Sequence, residues 1–74
     1  MNRMTLQKEI YPKSAIEETI QAFSRIAKIH MEEEKENYYS LTFEQCLADS
    51  QRTMDEFGNY VLAETIRTAG GMYD

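Results

Sequence analysis

The 74-residue chain has one cysteine, Cys46, one histidine, His30, and one proline, Pro12. A lone thiol rules out a disulfide within the chain and agrees with a reducing compartment. One cysteine and one histidine cannot supply a structural zinc tetrahedron without two carboxylates, so no metal site is expected. No apolar run approaches the roughly 20 residues that span a bilayer. Residues 1–5 lack the apolar stretch of a secretory signal, which makes the cytoplasm the expected location. Base is short as well: 8 Lys and Arg stand against 13 Asp and Glu, a net charge of −5. That sign opposes nucleic acid, where cation–phosphate contacts supply most of the affinity, and it opposes anionic membranes. Glycine-rich phosphate loops and nucleophile elbows are missing, and Gly70-Gly71 follows a helical pattern where a phosphate loop would precede one. No cofactor is expected.

Seventy-four residues make one domain, and so short a chain buries only about 60–65% of the surface it exposes when unfolded. Order is expected from about residue 4 to residue 69, with residues 70–74 as a frayed tail. Residues 4–10 alternate, with Met4, Leu6 and Ile10 on one side and Thr5, Gln7 and Glu9 on the other, which predicts a strand with one buried face. Lys8 interrupts the apolar side, as a sheet edge tolerates. Pro12 suits the opening turn of a helix, and Glu17 and Glu18 lie near its positive N-terminal end. Ile16, Ile20, Phe23 and Ala27 then form a helical stripe over residues 14–27. A second strand begins near Lys28, carrying Ile29 and Met31. Residues 33–37 have the length of a hairpin connection. A third strand follows at residues 38–43, with Tyr39, Leu41 and Phe43 on one face and Tyr38, Ser40 and Thr42 on the other. Asp49 or Ser50 caps the last helix, whose stripe is Met54, Phe57, Val61, Leu62 and Thr65, flanked by Ile66 and Ala69. Gly58 on that stripe costs roughly 1 kcal/mol of helix propensity, which predicts a close approach to a neighbouring element.

The order strand, helix, strand, strand, helix is an α+β arrangement, a two-layer β-α-β-β-α sandwich like a ferredoxin-like fold without its final strand. A right-handed crossover sets the first two strands parallel with a gap that the third enters, giving order 1-3-2 with both helices on one face. The opposite face would carry Thr5, Gln7, Glu9, Lys28, His30, Glu32, Tyr38, Ser40 and Thr42.

Chemistry is sparse. His30 could shuttle a proton or ligate a metal, but a surface histidine in a strand is the commoner role and no carboxylate partner is fixed for it. Cys46 could be a nucleophile only with a base, an orienting group and an oxyanion hole; a small apolar filler is the commoner use of a free cysteine. The carboxylates of Glu32, Glu33, Glu34 and Glu36 alternate in direction and make a solvated turn, not a cation cage. RNA-binding sheets stack bases on two or three exposed rings, whereas Tyr39 and Phe43 face the core here and only Tyr38 lies outside.

Residues 10–16, Ile10-Tyr11-Pro12-Lys13-Ser14-Ala15-Ile16, followed by Ala22-Phe23, resemble the strand-to-helix junction of the HxsD family of small proteins. Asn59-Tyr60-Val61-Leu62-Ala63-Glu64 is similar to that family's signature, an acidic or amide residue before Tyr-x-Leu-Arg-Glu. Tyr60, Leu62 and Glu64 match; Ala63 replaces the arginine, Asn59 stands where aspartate is usual, and Phe57-Gly58 replaces a more leucine- and asparagine-like pair. The resemblance covers residues 6–67. It implies a companion of radical-SAM proteins in the His-Xaa-Ser peptide-modification system, an adaptor and not the catalyst. The absence of a CxxxCxxC cluster motif agrees.

At about 100° per residue, Tyr60, Glu64 and Arg67 share one flank of the last helix. They read either as a tyrosine at the rim of the stripe with a local ion pair or as a docking patch for a peptide or protein. The expected function is a non-catalytic interaction module with a protein or peptide partner. Its candidate residues are Tyr60, Glu64 and Arg67, then His30 and Tyr38 on the polar sheet face. A homodimer through that face is a further option. The alternative is a small redox protein or enzyme using Cys46, with or without His30.

Overall fold

The structure is a computed structural model that describes residues 2–70, with side chains described through Thr68. Its elements are β1 (Asn2–Gln7), α1 (Lys13–Ala22), β2 (Lys28–Glu33), β3 (Tyr38–Glu44) and α2 (Ser50–Gly70). The sheet has the order β1-β3-β2, and both outer strands pair antiparallel to β3, as the crossover argument requires. Of the expected tail, Gly70 belongs to α2 and the rest lies outside the described residues.

Register sorts the two sheet faces. Met4, Leu41 and Met31 align across the sheet, as do Leu6, Tyr39 and Glu33. This side meets the helices, and Leu41 and Phe43 are fully or almost fully buried there. Arg3, Thr42 and His30 align on the other face, as do Thr5, Ser40 and Glu32. Ser40 and Thr42 are nonetheless buried, because the central strand is flanked on both sides by longer side chains.

Phe57 of α2 joins the layers. Its ring meets Phe43 of β3 edge-on at 5.2 Å and Phe23, at the C-terminal end of α1, at 5.3 Å. Ile16, Thr19 and Val61 complete the interior without any exposed surface. Thr19 is accommodated because its hydroxyl donates to the Ala15 carbonyl at 2.7 Å, and no buried side-chain polar atom among the described residues is left unpartnered.

Several boundaries differ from the sequence reading. β1 occupies residues 2–7 in place of 4–10, so Arg3 enters the open face, Glu9 leaves it, and Ile10 sits in the following turn 53% exposed. The amide of Ile10 donates to the Gln7 carbonyl, so the chain has already turned where alternation still reads as strand. α1 stops at Ala22 instead of Ala27. Phe23, Ser24 and Ile26 instead make tight turn bonds, among them Ser24 N–H to the Gln21 carbonyl and Ile26 N–H to the Phe23 carbonyl. Pro12 is the cap of α1, with φ −68°, its carbonyl accepting from Ala15 and Ile16. Glu17 and Glu18 fall beyond the first turn and so miss the strongest part of the helix dipole. Asp49 caps α2, accepting the Arg52 N–H at 3.0 Å, while the Thr53 hydroxyl donates to the Asp49 carbonyl.

The stripe of α2 is narrower than its apolar residues. Thr53, Phe57 and Val61 are buried and Met54 is partly so, but Leu62 is 43% and Ile66 60% exposed. Length explains part of this. The 21 residues of α2 span roughly 31 Å, whereas the 7 residues of β3 span roughly 23 Å, so the last turns outrun the sheet. Nor does Gly58 mark a tight approach: a Cβ there would meet only Met4 Cε at 3.9 Å, an ordinary contact.

Two outcomes follow. Gly58→Ala is expected to stabilise by about 1 kcal/mol through helix propensity, read as a higher urea midpoint at unchanged slope; a lower midpoint would mean that α2 lies closer to β1 than 3.9 Å implies. Phe57→Ala is expected to cost about 3–5 kcal/mol, most of the stability of so small a domain, whereas Leu62→Ser changes it by less than about 0.5 kcal/mol.

Candidate functional site

The flank of Tyr60, Glu64 and Arg67 lies along the seam between the helices. Tyr60 packs edge-on against Phe23 at 5.7 Å, with 43% of its surface still exposed. Arg67 donates to Glu64 Oε2 at 2.6 Å within α2 and reaches Glu18 Oε2 of α1 at 3.4 Å. The three residues therefore come together as expected, and Glu18 of α1, which no local pattern joins to them, completes the set. Their contacts are those of a stitch between two antiparallel helices, with the tyrosine ring as its outer face.

Charge in the stitch is mutually supporting. The hydrogen bond from Arg67 holds the Glu64 carboxyl below its ordinary value of 4.5, partial burial opposing and the guanidinium charge assisting. Hydrogen bonding to Glu64 in turn raises Arg67 above its ordinary value. A second bridge spans the far end of the sheet: Lys8, just past β1, crosses β3 to reach Glu33 Oε2 at 2.9 Å, its ammonium 5.2 Å from the Tyr39 ring centroid. That contact lowers the Glu33 carboxyl in the same way.

His30 and Tyr38 occupy the open sheet face, as expected, but apart from one another. His30 pairs diagonally with Glu44, Nε2 to Oε1 at 3.7 Å, both being well exposed. Tyr38 is half-buried and lines a shallow pocket of about 290 Å³ with Gln7, Glu9, Glu36 and Asn37. Cys46 is half-buried and packs against the core rather than being fully enclosed by it. No set of three or more His, Cys, Asp or Glu among the described residues could hold a metal ion, and no helix there is long and apolar enough to cross a membrane.

One apolar surface of the α2 stripe lies outside the core. Around α2 the sequence of neighbours runs from α1 (Tyr60) through the interior (Phe57, Val61) to β1 (Gly58, above Met4). Leu62 and Ile66 lie next in that rotation, about 100° and 140° round from Val61, and so turn away from the interior on the β1 side of the helix. On that side β1 pairs with β3 alone among the described residues. The four-residue spacing of Leu62 and Ile66 was legible; their exposure was not.

Comparison with protein-family models, with curated proteins and with solved structures returned no match.

The sign of the carboxylate shift sets a pH test. A folded-state value held below the ordinary one contributes stability that is present above pH 4.5 and lost as pH falls through the lowered value. Urea midpoints of wild type and Glu64→Gln are therefore expected to differ most near neutrality and to converge as pH falls below 4.5. A gap that is constant with pH would show that the ion pair carries no such stability.

Proposed function

We propose that this chain is a non-catalytic interaction module that docks a protein or peptide along the outer side of β1. The observation supporting this reading is the coincidence of two unfilled features on one flank. Among the described residues, β1 has no strand partner for the backbone N–H and C=O groups on its outer side, and the exposed aliphatic pair Leu62 and Ile66 lies on the side of α2 turned toward that edge. An extended segment added to the edge gains main-chain hydrogen bonds from β1 and apolar contact from α2.

The two edges of the sheet are not equivalent. β2 carries Lys28, His30, Glu32 and Glu33, the charged pattern that discourages a further strand. β1 has Arg3 as its only charge, no acidic residue and no proline. In a chain of net charge −5, this is a stretch where an incoming strand meets little repulsion.

The finer form of the proposal is an adaptor in a radical-SAM peptide-maturation system, in the cytoplasm. It rests on the resemblance carried by Tyr60, Leu62 and Glu64, with Leu62 on the proposed surface and Tyr60 and Glu64 in the helix seam. A substrate peptide and the modifying enzyme are the partners that this form names. A second copy docking edge to edge is the homodimeric variant of the same use.

Affinity capture from the source cells, with wild type and with a Leu62→Glu, Ile66→Glu variant, tests the reading. The wild type is expected to retain a partner that the variant loses while keeping the wild-type urea midpoint. Identical retention by both, or a lone monomer by native mass spectrometry, contradicts it. A radical-SAM protein or a His-Xaa-Ser peptide among the lost partners is the result the finer form requires.

A further inference from the structure

On the opposite side of the sheet from the β1 edge, the C-terminal turn of α1, the start of β2 and the loop from β3 to α2 enclose a groove of about 510 Å³, open to solvent on one side. Its volume falls within the range of small-ligand pockets. The apolar lining comes from Ile20, Ala27, Ile29 and Leu47. Leu47 is 79% exposed, yet its backbone is held: its N–H donates to the Ile26 carbonyl at 2.9 Å, tying the loop to the turn after α1. Gln45, also in the lining, has φ 52°, the left-handed conformation that swings the chain out of β3 and presents the loop.

Charge distinguishes this groove. No acidic residue among the described residues lines it, while Arg25 and Lys28 do. Neither cation enters an ion pair among the described residues. Glu44, opposite Lys28 in the β2–β3 ladder, stands with it on the open sheet face, 3.7 Å from His30. Arg25 beside the aliphatic floor, with Lys28 at its rim on the open sheet face, complements a ligand that carries carboxylate and aliphatic groups together.

We infer that this groove binds an acidic-aliphatic peptide segment, with aliphatic side chains against Ile20, Ile29 and Leu47 and carboxylates facing Arg25 and Lys28. A peptide fits better than a free fatty acid, because the groove is open and an alkyl chain gains affinity by enclosure. The site lies apart from the β1 edge, so either can fail without the other.

The test is a titration of the ¹⁵N-labelled chain with acetyl-glutamyl-leucine, which has two carboxylates and an isobutyl group, followed by amide shifts. Saturable shifts centred on Ile20, Ser24, Ile29 and Leu47 are expected. Binding of the neutral acetyl-glutaminyl-leucinamide is expected to be weaker by about fivefold or more, as is binding of the acidic peptide to an Arg25→Gln, Lys28→Gln variant. Leu47→Ser, an exposed change that leaves the fold intact, also weakens it. The proposal is overturned by shifts that do not saturate, by saturation centred elsewhere, by equal affinity for the neutral peptide, by an unaffected charge variant, or by binding of octanoate in place of the peptide.

Discussion

Everything in this fold depends on where Phe57 can put its ring. It stands between Phe23 and Phe43, meeting each edge-on at just over 5 Å, and so fixes α2 against α1 and against the central strand together. Edge-to-face pairs of this kind contribute about 0.5–1.5 kcal/mol each beyond their area burial. With Phe57 inward, helical geometry settles the rest of α2. Tyr60 turns to the seam with α1, Val61 to the interior, Gly58 to β1, and Leu62 and Ile66 outward. The exposed row and the interhelical stitch thus follow from the same anchor.

A small sheet makes that geometry matter. Three strands give one central strand, covered on both flanks, and two edges, each requiring some protection from unwanted pairing. β2 meets the requirement with its own charges. Its final residue, Glu33, is also pinned through Lys8 to the chain beyond β1, across the face of Tyr39. β1 has no comparable device along residues 2–7. The helix above it adds aliphatic surface where a charge would discourage contact, and this asymmetry favours reading the β1 edge as a place of use.

The strand order, the helix positions and the sides of β3 were readable in advance because period-two and period-3.6 patterns report which face is buried. Strand limits were less readable. Ile10 continues the alternation of Met4 and Leu6, yet a backbone bond to Gln7 has already turned the chain. Ile26 and Ala27 extend the α1 stripe, yet the helix gives way to tight turns that lead into β2. Tyr60, Glu64 and Arg67 were found together because helical spacing alone unites them, whereas Glu18 joins them only through tertiary packing. Leu62 and Ile66 depart from the expected core for a related reason: a hydrophobic stripe shows which side of a helix is apolar, not how far the sheet beneath it extends. Arg25, Lys28 and Leu47 come from three separate segments, and no local pattern unites them.

Amide hydrogen exchange along β1, in the free chain and in the complex with a captured partner, tests most directly whether the β1 edge is the working surface. The β1 amides that face away from β3 should exchange quickly in the free chain and become protected in the complex, while the β2 edge stays unchanged. Protection confined to β2 or to the open sheet face, with β1 exchanging as before, would contradict the account.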